Sequence, residues 1–287
     1  MGFKSKLKKL RSRAHGNPGV APLIYTKQLQ RSFETPSVTG GSIYGKTVMI
    51  TGGSGGIGRA MAVRFLAEGC RVVITGRNEK KLKKTVDDIK ERNNSYEITF
   101  EVMDQCDEND IRRISEKWFA TKKVNILINN AGIFTDIDRR GRFVSVSIED
   151  FLKIWDTNFE GMKNLTLLYA EQMHDTRGKI INIASICADF PRFQFTPYGL
   201  SKASVIGFSE EIRKTYPNLK VQVIEPGSVA TDMGYLGIGK DISRYESNTL
   251  NHVIIPEQIA ALAAFLASDV GNYVSNNTVI AAAGEIL

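Results

Sequence analysis

The chain is short of cysteine, histidine and long apolar runs, and each shortage removes a class of protein. Its three cysteines, Cys70, Cys106 and Cys187, are odd in number and far apart, with no CxxC pair. They offer no disulfide framework and suit a reducing compartment, so the expected location is the cytoplasm. His15, His174 and His252 are as scattered, so no cluster has ligand spacing and no metal is expected. The longest apolar run, residues 259–267, falls well below the roughly 18 residues that span a bilayer. Residues 1–33 also lack the apolar core of a secretory signal.

Acidic residues are missing altogether from positions 1–33, which hold Lys4, Lys6, Lys8, Lys9, Arg11, Arg13, Lys27 and Arg31. This explains a net charge of +7, because the rest carries 30 Lys+Arg against 31 Asp+Glu. The folded body is near neutral and the basicity belongs to an arm. Without a basic stripe interleaved with aromatics, nucleic-acid binding is not expected. Residues 1–44 read as this basic extension and residues 45–287 as a single domain. A basic, acid-free segment is also what an organelle transit peptide looks like.

What the chain does have is regular alternation. Short β-rich runs at 47–51, 71–75, 96–103, 124–129, 179–184, 220–225 and 277–282 are separated by helical patterns. Those patterns lie at 57–68, 78–92, 107–121, 148–173, 198–214 and 256–268. Continuous apolar strands between helices predict an α/β fold, a doubly wound parallel sheet of Rossmann type with helices on both faces.

The first strand runs into Thr51-Gly52-Gly53-Ser54-Gly55-Gly56-Ile57-Gly58 and then a helix. Glycines there allow a tight turn and close approach to a pyrophosphate, which the helix N-terminus attracts. The candidate loop residues are Gly52, Ser54, Gly56, Ile57 and Gly58. An NAD site usually places an acid about 20 residues later, at the end of the next strand. This chain has Thr75-Gly76-Arg77-Asn78 instead, and the Arg77 guanidinium matches a 2′-phosphate, so NADP(H) is expected over NAD(H).

Tyr198 and Lys202 are four apart and project from one face of a helix. A phenol with pKa about 10 is a poor base, but a neighbouring ammonium favours its ionised form. That makes it a usable proton donor or acceptor. Ser185 follows a strand and is placed to donate a hydrogen bond where charge develops on a substrate oxygen.

These residues, taken in order, resemble the short-chain dehydrogenase/reductase family in its shorter, single-domain branch. The resemblance covers residues 45–283 and rests on TGGSGGIG at 51–58, NNAG at 129–132, Asn158 in NFEG, Ser185, YGLSK at 198–202 and PGSVAT at 226–231. It implies Tyr198 as the proton donor/acceptor, Ser185 as the orienter of the substrate oxygen, and Lys202 as the group that tunes Tyr198 and binds the nicotinamide ribose. Asn158 would hold a relay water. Asp104 would contact adenine, Asn130, Ala131 and Gly132 would pass beneath the adenine ribose, and Pro226, Gly227, Val229 and Thr231 would close over the nicotinamide. The basic arm departs from the family pattern. So does the C-terminal Ala283-Gly284-Glu285, where members commonly carry Asp-Gly-Gly.

The implied partner is a small carbonyl or alcohol substrate, with 3-oxoacyl thioesters one possibility. Its walls are expected at 186–197, with Phe190, Phe193, Phe195 and Cys187, and in a lid at 232–255; Arg192, Lys240 and Arg244 are available for an acidic group. Surplus apolar surface on the 148–173 and 198–214 helices predicts a homodimer or homotetramer. Two alternatives stand beside the reductase: a non-catalytic dinucleotide sensor or scaffold, and a nucleotide-sugar modifying enzyme.

Overall fold

A computed structural model describes residues 36–121, 123–135, 146–189, 197–234, 254–275 and 277–282. The chain divides into two compact units, Met1–Pro36 and Ser37–Leu287. The basic arm lies outside the described residues.

Seven parallel strands form one sheet in the order β3-β2-β1-β4-β5-β6-β7. They are β1 (Thr47–Thr51), β2 (Arg71–Gly76), β3 (Ile98–Val102), β4 (Ile126–Asn129), β5 (Lys179–Ile183), β6 (Lys220–Pro226) and β7 (Thr278–Ala281). Every residue of β1 and β4 is buried, as expected of apolar runs covered on both faces. Among the described residues, seven α-helices accompany the sheet: α1 (Gly56–Ala67), α2 (Glu79–Arg92), α3 (Glu108–Thr121), α4 (Ile148–Trp155), α5 (Gly161–Met173), α6 (Pro197–Thr215) and α7 (Pro256–Ala267). On one face Ile111, Ile114 and Trp118 of α3, Leu165 and Tyr169 of α5 and Ile212 of α6 pack on Met49, Leu127, Ile180 and Val221. α1 and α7 pack together, burying Ala60, Val63, Ile259 and Ala263. Chain order reverses between β1 and β4, where Val48 pairs with Ile126. In such sheets the crevice at the carboxyl ends of those two strands takes the ligand.

Local chemistry sets the helix starts. Asn78 caps α2 by accepting the Lys81 N–H at 3.0 Å, and Ser147 caps α4 by accepting that of Asp150 at 3.1 Å. Pro256 opens α7, where its missing N–H costs nothing.

The structure departs from the sequence reading in two places. The helix expected at 148–173 is interrupted by a π-helical turn, Asp156–Glu160, that separates α4 from α5. Residues 37–44, read as extension, are tied to the domain: Val38 N–H and the Thr39 hydroxyl donate to the Glu68 carboxylate, itself paired with Arg64. Ile43 is buried and its carbonyl accepts the Cys70 thiol at 3.2 Å. The compact unit therefore starts at Ser37.

Candidate active site

The glycine turn lies where β1 meets α1, at the reversal point. Gly52 has φ +65 and Gly56 φ +49, left-handed conformations that strain any other residue. A Cβ on Gly52 would stand 2.9 Å from the Ala131 Cα. One on Gly58 would lie 2.4 Å from the Gly52 carbonyl oxygen and 2.6 Å from Asn130 Nδ2. Around Gly55, by contrast, nothing lies within 4 Å of a built Cβ, so the turn opens to free space there. Gly55 precedes α1 with no side-chain cap, so the first N–H groups of that helix face the opening without a side-chain acceptor. Unsatisfied donors at a helix N-terminus beside an open cradle fit a pyrophosphate. The Ser54 carbonyl accepts from Thr85 Oγ1 at 3.3 Å, and Ile57 follows in the first turn of α1.

The NNAG segment is fastened to this turn. Thr51 Oγ1 accepts the N–H groups of Asn130 and Ala131, each at 3.0 Å, and Asn130 Nδ2 donates to the Thr51 carbonyl at 2.9 Å. The sequence reading includes Thr51 in the loop motif but gives it no role of its own, although a hydroxyl at the last strand position before the glycines is the signal for one. Gly132 sits where a Cβ would be 3.2 Å from Asn158 Oδ1 and 3.4 Å from Lys202 Nζ, so both groups crowd its α-carbon.

Asn158 lies within the π turn, buried. Its Oδ1 accepts the Ile133 N–H at 2.7 Å, and its Nδ2 donates to the Ile133 carbonyl at 3.0 Å and to Ser201 Oγ at 3.1 Å. The side chain thus clamps the segment after NNAG to α6. π turns favour such functional positions because one shifted hydrogen bond re-aims a side chain.

Lys202 is buried and donates to the Ile183 carbonyl at 2.8 Å, at the end of β5. Its ammonium is 5.8 Å from the Tyr198 ring centroid. Burial brings the Lys202 pKa down to about 8, with Cys187 acting weakly against the shift. The Tyr198 ring also meets Phe134 edge-on, centroids 5.1 Å apart. Ser185, two residues past Ile183, is largely buried and caps a 3-10 turn, Ile186–Ala188, accepting the Cys187 N–H at 3.2 Å.

Arg77 is exposed at the end of β2, 4.0 Å from the Asp104 carboxylate that follows β3. Asp104 is otherwise engaged locally, accepting the Cys106 N–H at 3.0 Å. On the far side, Pro226 ends β6, Gly227 N–H donates to the Ala281 carbonyl at 3.0 Å, and buried Val229 bridges to Ile254. The Thr231 side chain comes within 3.3 Å of a Cβ built on Gly56, so this segment reaches back to the phosphate turn. Phe190, Arg192, Phe193, Phe195, Lys240 and Arg244 lie outside the described residues, as do most of the wall and lid. No group of His, Cys, Asp and Glu among the described residues has metal-binding geometry, and no helix there is long and apolar enough to cross a membrane.

A parallel sheet with a glycine turn at its reversal point, and a Tyr/Lys pair on the helix beside it, is the architecture of the Rossmann-like class. The family model "short chain dehydrogenase" matches residues 46–236, and the chain belongs to that family of oxidoreductases. The 3-oxoacyl-[acyl-carrier-protein] reductase of Chlamydia muridarum is 31% identical over 236 residues, covering 80% of this chain and 93% of the relative. L-rhamnose 1-dehydrogenase (NADP(+)) of Thermoplasma acidophilum is 30% identical over 257 residues, 85% of this chain and 97% of the relative. Among solved structures, a blue fluorescent protein from a metagenomic library in complex with NADPH superposes with TM-score 0.76 at 25% identity. It covers 86% of this chain and 100% of that one.

A substitution at the turn carries a direct prediction. Gly58→Ala puts a methyl against the Gly52 backbone, where relief needs the turn itself to move. Such overpacking costs about 1–3 kcal/mol. Affinity for a nicotinamide dinucleotide, followed by nucleotide fluorescence, is expected to fall about tenfold to a hundredfold. Unchanged affinity would place the phosphates elsewhere.

Proposed function

We propose that the protein moves hydride between NADP(H) and a ketone or secondary alcohol, with Tyr198 as the proton donor/acceptor. The observation that carries this reading is the buried Lys202 ammonium, pinned to the Ile183 carbonyl and 5.8 Å from the Tyr198 ring. A positive charge held there, in surroundings that screen it poorly, favours the phenolate and makes the phenol a stronger acid. In the reductive direction the Tyr198 hydroxyl gives its proton to the substrate oxygen, while the Ser185 hydroxyl donates a hydrogen bond to the same atom. The bound nicotinamide supplies or accepts the hydride. Lys202 restores charge balance at Tyr198 and holds the ribose. Asn158, already bonded to Ile133 and Ser201, keeps the NNAG segment and α6 in register, and a water beside it completes a path to solvent.

Gly52, Ser54, Gly56, Ile57 and Gly58 take the pyrophosphate in this account. Asp104, Asn130, Ala131 and Gly132 border the adenosine, and Pro226, Gly227, Val229 and Thr231 border the nicotinamide. Arg77 takes the 2′-phosphate. It is 63% exposed, and its ion pair with Asp104 is long at 4.0 Å, so its guanidinium donors are weakly engaged there. The experiment for NADP(H) preference is Arg77→Asp, which should weaken NADPH about a hundredfold and leave NADH within about threefold, since the lost charge-assisted bonds are worth roughly 1.5–3 kcal/mol. Equal weakening of both would dissociate Arg77 from the 2′-phosphate.

The substrate class includes 3-oxoacyl thioesters, after the name of the chlamydial relative. A homodimer or homotetramer also belongs to the proposal. Ile148, Leu152 and Leu167 are exposed on α4 and α5, beside a ladder of Phe151, Trp155, Phe159 and Phe208 rings with centroids 4.9–6.0 Å apart. An apolar stripe of that kind is what a second copy would cover. A cytoplasmic location fits Cys70, Cys106 and Cys187, all free thiols.

A further inference from the structure

The π turn between α4 and α5 gives up an α-helical hydrogen bond, and a side chain from another element supplies a replacement. In an α-helix the Gly161 N–H would donate four residues back, to the Thr157 carbonyl. Here it donates five residues back, to that of Asp156. The Thr157 carbonyl accepts from Gln105 Nε2, which arrives from the loop after β3. Gln105 and Thr157 are both buried, where a carbonyl deprived of its donor is costly.

Two more contacts join the same segments. A Cβ on Gly161 would collide with the Gln105 carbonyl oxygen, so glycine is what lets the two backbones meet. Cys106 Sγ lies 3.5 Å from Thr157 Oγ1, which donates to the Lys153 carbonyl at 3.0 Å. The loop itself is anchored elsewhere. Asp104 N–H donates to the Asp110 carboxylate of α3 at 3.0 Å, and the Asp104 carboxylate accepts the Cys106 N–H. Gln105 therefore braces the π turn from outside the α4–α5 pair.

The residue after Thr157 is Asn158, whose amide holds both Ile133 and Ser201. Returning the Gly161 N–H to Thr157 would restore α-helical winding. One residue of winding turns a helix by about 100°, enough to swing Asn158 off both partners.

We infer that Gln105 is a positioning residue for Asn158: its amide replaces the bond the π turn forgoes, and so fixes Asn158 between the segment after NNAG and α6. The brace also joins the loop that borders the adenosine to the helix that carries Tyr198 and Lys202. Its consequence for turnover rests on the proposed oxidoreductase reading; the state of the π turn does not.

The test is amide hydrogen exchange in the full-length protein, resolved at Ile133, whose N–H is bonded to Asn158 Oδ1 at 2.7 Å. Gln105→Met keeps much of the side-chain volume and removes the donor. It should speed exchange at Ile133 and across 157–162 by about tenfold, the loss of one buried hydrogen bond, and leave the amides of β1 and β5 unchanged. Should that variant fail to fold, Gln105→Glu serves, because a carboxyl group can donate to the Thr157 carbonyl only while protonated, and burial favours the protonated form. With intrinsic rates corrected for pH, its Ile133 amide should be about tenfold better protected at pH 5 than at pH 8.5, a contrast absent from wild type. In assays, Gln105→Met should lower kcat about tenfold and leave the KM for NADPH within about threefold, since Asp104 keeps its own bonds. Ile133 protection equal in wild type and Gln105→Met, a loss spread evenly over the sheet, or Gln105→Glu protection equal at both pH values overturns the inference. Absence of turnover by wild type with any carbonyl would count against the oxidoreductase reading and leave the exchange result standing.

Discussion

Tyr198→Phe is expected to cut turnover with NADPH and a carbonyl substrate by about 10²–10⁴-fold, the usual contribution of a positioned proton donor. Only a hydroxyl is lost. The ring keeps its edge contact with Phe134 and its place beside Lys202, so neither fold nor cleft changes shape. NADPH affinity should stay within about threefold and the unfolding temperature within a degree or two. The loss should fall on kcat and on kcat/KM alike, because the proton moves in the transition state and not in the ground state. Turnover that survives in Tyr198→Phe would remove the phenol from the mechanism.

Lys202→Met separates activity from stability. Turnover should fall by about 10²–10³-fold, since Tyr198 loses the charge that favours its phenolate. Stability should move the other way. Burial holds the Lys202 pKa at about 8, below its ordinary 10.5. Between those two values the unfolded chain binds the proton and the folded chain does not, so the wild type gains stability as pH rises from about 8 to 10.5. Below 8 the folded protein carries a buried ammonium at a cost, partly offset by its bond to Ile183. Replacing it with an apolar chain of similar volume should raise the unfolding temperature at pH 7 by a few degrees. That gain should shrink on passing through pH 8 and be gone by about pH 10.5. A variant less stable than wild type at pH 7 would show that the ammonium contributes more through its hydrogen bond than its burial costs.

Much of this site was legible in the sequence because its parts are punctuated locally. Apolar runs fix the strands, glycines fix the turn after β1, and a four-residue step puts Tyr198 and Lys202 on one helical face. Nothing comparable marks the π turn at Asn158: the apolar periodicity of residues 148–173 continues through it, and one shifted hydrogen bond leaves no compositional trace. The strap at 37–44 looks like loop because its polar residues are paired with Glu68, about 30 positions away. Glu225 was equally hidden. An acid at the end of a predicted strand reads as a solvated position, and only the packing of β6 between β5 and β7 shows it fully buried.

The central claim is that hydride leaves the nicotinamide for a carbonyl carbon held at Ser185 and Tyr198. Mass spectrometry of the product formed with NADPH deuterated at both C4 positions tests this most directly. With a panel of ketones and 3-oxoacyl thioesters, the account predicts an alcohol carrying one deuterium on the former carbonyl carbon, and at most a trace of it with Tyr198→Phe. An unlabelled alcohol, or no alcohol from any member while NADPH binds, would contradict it.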